Sequence, residues 1–181
     1  MALDLKIKTN SEAIKKIFNR IERKFPSIID KGILQGGFQL LDIIRTKTAK
    51  GIDFRNVPFA SYSESYRKQL QREGKPFKVD LFYSGRMLGA LTPSGKTVRK
   101  TGKHKISLGF SNAQMRQRAL FNQVLNEPKR VFFGFNDRTE KIISKQFNRF
   151  IAKEFKKQRL WVYEKILHQI YYLPFQVLVA Q

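Results

Sequence analysis

The segment from Ser27 to Ala49 constrains the fold most. Ile28, Ile29, Ile33, Leu34, Phe38, Leu40, Leu41, Ile43 and Ile44 recur at helical spacing but cover more than one face of the helix they define. A helix apolar on most sides must be surrounded, so the rest of the chain is expected to pack around it. Gly36 and Gly37 weaken its middle and predict either a close approach by a neighbour or a kink. Upstream, Leu3, Leu5 and Ile7 alternate with polar residues and suggest a short strand. Thr9 and Glu12 have capping-box spacing before the stripe Ile14, Ile17, Phe18, Ile21 and Phe25. Pro26 is expected to break or re-aim that first helix.

The remaining elements follow from punctuation. Gly51 to Ala60 reads as a loop containing Pro58. Ser61 and Glu64 predict a capped helix running to about Glu73, ended by Gly74 and Pro76. Ser84 is the expected N-cap of a short helix over Gly85 to Leu91. Lys96–Lys100 and Lys105–Phe110 read as a hairpin around Thr101, Gly102 and Lys103. Gln114–Leu125 reads as a helix with Met115, Leu120 and Val124 among its apolar positions. Arg130–Phe135 is Phe-rich and suits a buried strand. Asp137–Lys157 is the clearest helix, with Ile142, Ile143, Phe147, Phe150, Ile151 and Phe155 inward and Lys141, Lys145, Arg149 and Lys153 on the opposite ridge.

The expected fold is therefore α+β, a small antiparallel sheet with a projecting basic hairpin packed against long N- and C-terminal helices. Residues 1–157 form the domain and 158–181 an aromatic C-terminal extension. Hydrophobic residues make up 41% of the chain and 16 are Phe, enough for a core built largely on aromatic packing. Trp161, Tyr163, Tyr171, Tyr172 and Phe175 mark the extension, which either packs back on the domain or docks as an arm on a neighbour, adding Gln176–Ala180 to its sheet.

Composition excludes several functions. No cysteine is present, so disulfides and thiolate metal sites are ruled out. His104 and His168 have no metal-ligand spacing, no Gly-rich phosphate loop follows a strand, and no serine sits in a nucleophile-elbow pattern. Asp80, Glu127 and Asp137 are carboxylates with no sequence reason to pair. No catalytic, cofactor-binding or metal-ligating set emerges, and the expectation is a protein that is not an enzyme and uses no cofactor. The longest run free of Asp, Glu, Lys and Arg, Ile166–Gln181, is shorter than the ~20 residues of a membrane span and contains Pro174. The N-terminal apolar run is too short for a signal peptide, so a soluble protein made in the cytoplasm, without a membrane partner, is expected.

Charge points to an anionic partner. The chain has 36 Lys and Arg against 14 Asp and Glu, a net charge of +22. Such self-repulsion calls for nucleic acid, an anionic surface or acidic proteins. No Asp or Glu occurs between Leu81 and Asn126, where the hairpin residues Lys96, Arg99, Lys100, Lys103 and Lys105 lie. They are candidates for contact with a phosphate backbone or an acidic partner, as is the ridge Lys141, Lys145, Arg149 and Lys153. A solvated hairpin edge and a solvated helix face are the plain alternatives.

One ordered set of residues carries a resemblance. It comprises Gly51, Asp53, Phe54, Pro58, Phe59, Tyr62, Ser63 and Tyr66, then Val79, Asp80, Leu81, Ser84, Gly85, Arg86, Met87 and Leu88, and last Pro128, Arg130, Phe132, Phe133 and Gly134. In this order the chain resembles the tail-completion or neck proteins of tailed bacteriophages, a grouping that includes the virion-morphogenesis and minor tail protein Z-like branches. The resemblance spans roughly residues 11–155. It departs from the pattern at Ala119–Gln123, where relatives often carry a Tyr-His-Gln-like segment followed by Gly, which leaves the branch open.

The resemblance implies a structural virion protein made in the host cytoplasm. Such proteins form a homo-oligomeric ring that joins the tail to the head connector around the DNA channel. The implied partners are connector or stopper proteins, tail tube or terminator proteins, and DNA without sequence preference. A closed ring uses heterologous contacts, so each subunit presents two different faces. The alternatives are a tail terminator capping the tail tube, or a free-standing basic nucleic-acid-binding protein.

Overall fold

The computed structural model describes residues 11–82, 84–94, 96–157 and 178–179. Helices account for 57% and a small antiparallel sheet completes an α+β fold with long helices toward both ends, as expected. In chain order the elements are α1 (Ser11–Ala49), α2 (Glu64–Arg72), α3 (Arg86–Gly89), β1 (Val98–Gly102), β2 (Lys105–Leu108), α4 (Ala113–Leu120), a π-helical turn (Phe121–Leu125), α5 (Asp137–Lys157) and β3 (Leu178–Val179). The predicted strand Leu3–Ile7, the Thr9 cap and the aromatic residues Trp161, Tyr163, Tyr171, Tyr172 and Phe175 lie outside the described residues.

Helix α1 is one continuous element of 39 residues with Pro26 inside it, not the two helices expected. Pro26 supplies no N–H to the preceding turn, a local cost that packing on both sides offsets. Phe25 stacks on Phe155 with ring centroids 5.8 Å apart. Ile28 and Ile29 are buried with Ile151 and Phe155 in a small cluster between α1 and α5. Each such side chain contributes roughly 1.5–3 kcal/mol of burial, enough to hold the helix through a proline.

Further along, Leu40, Leu41 and Ile44 enter the main core with Met87, Leu88, Leu91, Val98, Ile106, Leu108 and Phe132. Two glycines set how closely α1 meets its neighbours. A methyl at Gly37 would lie 2.5 Å from Ile106 Cδ1 and 2.8 Å from Val98 Cγ1, so the expected close approach is to the hairpin. A methyl at Gly32 would lie 2.7 Å from the Phe147 ring of α5. Five residues of helix turn these glycines about 140° apart. Sheet and C-terminal helix therefore lean on different faces of one rod.

The hairpin pairs Val98 with Leu108, Arg99 with Ser107 and Lys100 with Ile106, antiparallel. Its first strand starts two residues later than expected, because Lys96 and Thr97 close a turn. Thr97 Oγ1 donates to Thr92 O at 2.9 Å and accepts from Ser94 N at 2.9 Å. Val98, Ile106 and Leu108 bury one face while Arg99, Lys103 and Lys105 stay exposed. Strand β3 adds in parallel to β2, Ser107 opposite Leu178 and Leu108 opposite Val179, so this third strand joins the chain's own sheet.

Several local expectations are corrected. The N-cap of α2 is Ser63, whose Oγ accepts from Tyr66 N at 3.4 Å, and not Ser61, whose carbonyl accepts from Arg130. The N-cap of α3 is Gly85 at φ 68°, not Ser84. Gly85 suits this cap because a positive φ strains any side chain there, and the Phe82 ring lies 2.9 Å from where its Cβ would stand. The predicted helix 114–125 keeps α-geometry only to Leu120 and then widens, with Asn126 N donating to Phe121 O at 2.8 Å. Ile142, expected inward on α5, is 41% exposed.

Arg130–Phe135 is not a strand: it is irregular, with a bend at Phe133, and joins no sheet, although Phe132 and Phe133 are buried as expected. Its backbone is satisfied by other means. Phe133 N donates to Gln123 Oε1 at 3.0 Å, and Gln123 Nε2 donates back to Phe133 O at 3.2 Å, so one side-chain amide stands in for a neighbouring strand. Arg130 N donates to Asn122 O at 2.8 Å.

Gly37→Val is expected to lower unfolding free energy by about 1–3 kcal/mol, the usual cost of overpacking a closed contact. Urea denaturation followed by circular dichroism measures it, and an unchanged midpoint would refute the close-approach account.

Candidate functional site

The residues that carried the family resemblance come together in two places. The first surrounds the loop after α1. Gly51 adopts φ 80° and a Cβ there would sit 3.0 Å from Val79 O. Asp53 is buried, its Oδ1 accepting from Val57 N at 2.8 Å and its Oδ2 pairing with Arg55 Nε at 3.0 Å. The Phe54 ring packs where a Gly134 Cβ would stand, 2.9 Å away. Phe54 O accepts from Asn136 Nδ2 at 2.8 Å and Lys47 Nζ at 3.3 Å, and Lys47 also donates to Thr139 Oγ1 at 3.2 Å. Burial first, then the nearby Arg138 charge, lowers the Lys47 pKa. Phe59 packs against the main core and Phe132 is fully inside it. This group welds the loop to the start of α5.

The second place is a cleft of about 430 Å³. Tyr62, Tyr66, Leu81, Gly85, Met87 and Arg130 line it, joined by Arg118, Phe121 and Asn122 from α4 and the π-turn. Arg86 lies outside it and is exposed. Arg130 is 4% exposed and ties the cleft together. Its Nη2 donates to Ala60 O and Ser61 O, both at 3.3 Å, and its guanidinium lies 5.0 Å from the Tyr62 ring centroid. Tyr62 meets Tyr66 edge to face at 4.9 Å. Burial, and then Tyr66, push the Tyr62 pKa up. Leu81 adopts φ 56°, a backbone angle that costs a branched side chain of order 1 kcal/mol or more and persists only where the surroundings enforce it.

The basic candidates are separated. On the hairpin, Lys96, Arg99, Lys103 and Lys105 are exposed. Lys100, also a candidate for partner contact, pairs with Asp30 of α1 and keeps an exposed side chain. The same carboxylate accepts from His104 N at 3.1 Å and lies 3.0 Å from His104 Nδ1, so Asp30 pins the hairpin tip to α1. The Lys100 hydrogen bond, against an opposing effect of burial, holds the Asp30 pKa below its usual 3.8. On α5, Lys141, Lys145 and Arg149 line an open groove of about 730 Å³ together with Asp137 and Glu140, and Lys153 is exposed further along the helix.

Arg118, one of the cations of the acid-free stretch, and Phe121 were not among the candidate site residues read from the sequence. Beside the cleft lies an apolar ledge: Leu120, Phe121, Val124 and Leu125 are 46, 53, 49 and 64% exposed. Leu120 and Val124 were expected among the apolar positions of a helix, and the structure leaves both exposed, Leu120 at the end of α4 and Val124 in the π-turn. Among the described residues no group of three His, Cys, Asp or Glu is placed to hold a metal ion, and no helix is long and apolar enough to cross a membrane. No protein-family model, curated protein or solved structure matches the chain.

Two outcomes follow from this geometry. Arg130→Met is expected to destabilise the fold by about 1–3 kcal/mol, because the Ala60 and Ser61 carbonyls lose the charged donor that ties their loop to the cleft. Chemical denaturation reads the loss, and a wild-type midpoint would show that Arg130 does not tie the cleft. For Asp30, a depressed folded-state pKa means its contribution is present above the unfolded value near 3.8 and is lost as pH falls through the lower folded value. Hydrogen exchange of the hairpin amides should therefore accelerate below that pH, and Asp30→Asn should remove the acid dependence while exchanging faster at neutral pH.

Proposed function

We propose that the protein is a structural component of a tailed-phage neck. It is a tail-completion subunit that assembles into a ring and joins the tail to the head connector around the DNA channel. The observation that supports this reading best is the convergence on Arg130. Tyr62, Tyr66, Leu81, Gly85 and Met87, in the order that resembles the family, line one cleft with Arg130, which lies more than 40 positions further along the sequence. Their contacts are packing and backbone satisfaction, the work of a scaffold. The net charge of +22 suits a subunit placed among DNA and acidic partner rings.

The exposed hairpin cations Lys96, Arg99, Lys103 and Lys105 favour one second reading, a free-standing nucleic-acid-binding protein. Quantitative mass spectrometry of purified virions separates the two. The neck reading expects the protein at low copy relative to the capsid protein, and unjoined heads and tails when the gene is removed. Absence from complete particles overturns it. Steep loss of duplex affinity with added salt, without incorporation, would establish the second reading.

A further inference from the structure

Among the described residues no carboxylate forms an ion pair with the buried Arg130 guanidinium of the cleft, although the charge of Asp80 reaches the neighbouring Tyr62. Arg130 is nine-tenths buried, yet the acceptors its Nη2 reaches are neutral carbonyls, and its Nε is buried with no hydrogen-bond partner among the described residues. The Tyr62 ring face offers a cation–π contact, worth about 1–2 kcal/mol, and no ion pair. Arg118 stands at the same cleft, exposed. The one carboxylate of the lining, Glu127, turns to Lys129, 3.7 Å away at the surface. Buried guanidinium groups are ordinarily matched by a carboxylate, and an unmatched one is costly to keep.

The surroundings specify more than charge. Tyr62, Tyr66, Met87 and Phe121 form an apolar, aromatic wall, and the exposed ledge Leu120, Val124 and Leu125 continues from Phe121. From Leu81 to Asn126 the chain has no acidic residue to repel an anion. We propose that this cleft is a docking site for an acidic segment of a partner protein. One carboxylate of that segment meets Arg130 and Arg118, and a neighbouring apolar side chain lies against Tyr66 and Phe121.

The choice of a peptide over nucleic acid rests on depth and on the wall. A carboxylate on a flexible side chain reaches a recessed guanidinium, whereas the phosphates of a duplex stay on its rigid outer surface. The apolar ledge offers nothing to a phosphate backbone but suits leucine or phenylalanine. The inference stands on the groups of the cleft and does not require the neck assignment.

The test uses the full chain, nitrogen-labelled, with amide shifts followed by NMR during titration with the peptide N-acetyl-Glu-Phe-Glu-Leu-Glu-amide. Saturable shifts at Ser63, Asn122 and Asn126 are expected, with no such response to the Gln-for-Glu peptide. Arg118→Glu, at an exposed position that leaves folding intact, should weaken binding roughly tenfold, and Tyr66→Ala should weaken it as well. Equal binding of pentaglutamate would overturn the proposal by reducing the site to bulk charge. Tighter binding of oligothymidylate at the same amides would overturn it in favour of nucleic acid. Absence of saturation at millimolar peptide, or unchanged affinity in both variants, would also overturn it. Incorporation into virions is read separately, so failure here leaves the neck reading to its own test.

Discussion

Everything in this fold depends on how closely two different elements approach α1. Gly37 lets the hairpin's Val98 and Ile106 settle against the helix backbone, and Gly32 lets the Phe147 ring of α5 do the same on another face. Without side chains at these two points the helix acts as a central rod with partners on both sides. That arrangement explains why its apolar residues cover more than one stripe. It also explains why Pro26 is tolerated, since the helix on either side is fastened by Phe25, Ile28 and Ile29 to Ile151 and Phe155. The two antiparallel strands on their own would be marginal. They are stable because one face is closed by α1 and the tip is pinned by Asp30.

A second constraint follows from having so little sheet. Long irregular stretches, 50–63 and 126–136, must run against the core, and their backbone groups need partners that no ladder supplies. Side chains take that role. Gln123 satisfies Phe133 on both sides, Asn136 and Lys47 hold the Phe54 carbonyl, Asp53 accepts from Val57, and Arg130 binds Ala60 and Ser61. These polar side chains are partly or wholly buried, and each fixes one loop to another. Two of these anchors, Asp53 and Arg130, belong to the ordered set picked out in the sequence, as does Gly134, which makes room for the Phe54 ring.

The sequence made some of this legible and hid the rest for identifiable reasons. Periodicity placed α5 at its observed limits, because Asp137 begins a regular apolar stripe that ends at Phe155. The hairpin was readable from alternation about Gly102. Tertiary packing overrode local punctuation at Pro26. Competition for hydrogen bonds misled the cap assignments, since Ser61 and Ser84 had the right spacing but Ser61 is engaged through its carbonyl by Arg130, a residue 69 positions away. Arg130–Phe135 had the composition of a strand, and nothing in one dimension tells a ladder from a glutamine side chain. The cleft was half legible: its Tyr and Gly members belonged to the ordered set, while Arg118 reaches it from the last turn of α4 and Phe121 from the π-turn, which has no sequence signature.

The distribution of charge carries the last step. Two of the few carboxylates are engaged inside the molecule, Asp30 on the hairpin and Asp53 on its own loop. With 14 Asp and Glu against 36 Lys and Arg, the exposed acids cannot offset the cations facing outward. The exposed hairpin edge and the α5 ridge are both cationic, and they are carried by elements that pack on different faces of α1. Two copies meeting through these surfaces repel one another. Self-association therefore has to use a surface where charge is sparse and apolar area is exposed, or has to be driven by an anionic template that screens the repulsion. The ledge Leu120–Leu125 meets the first requirement, and acidic protein rings or DNA would meet the second. A charge pattern of this kind opposes self-association wherever the cationic surfaces would face one another, and an anionic partner that screens them removes that cost.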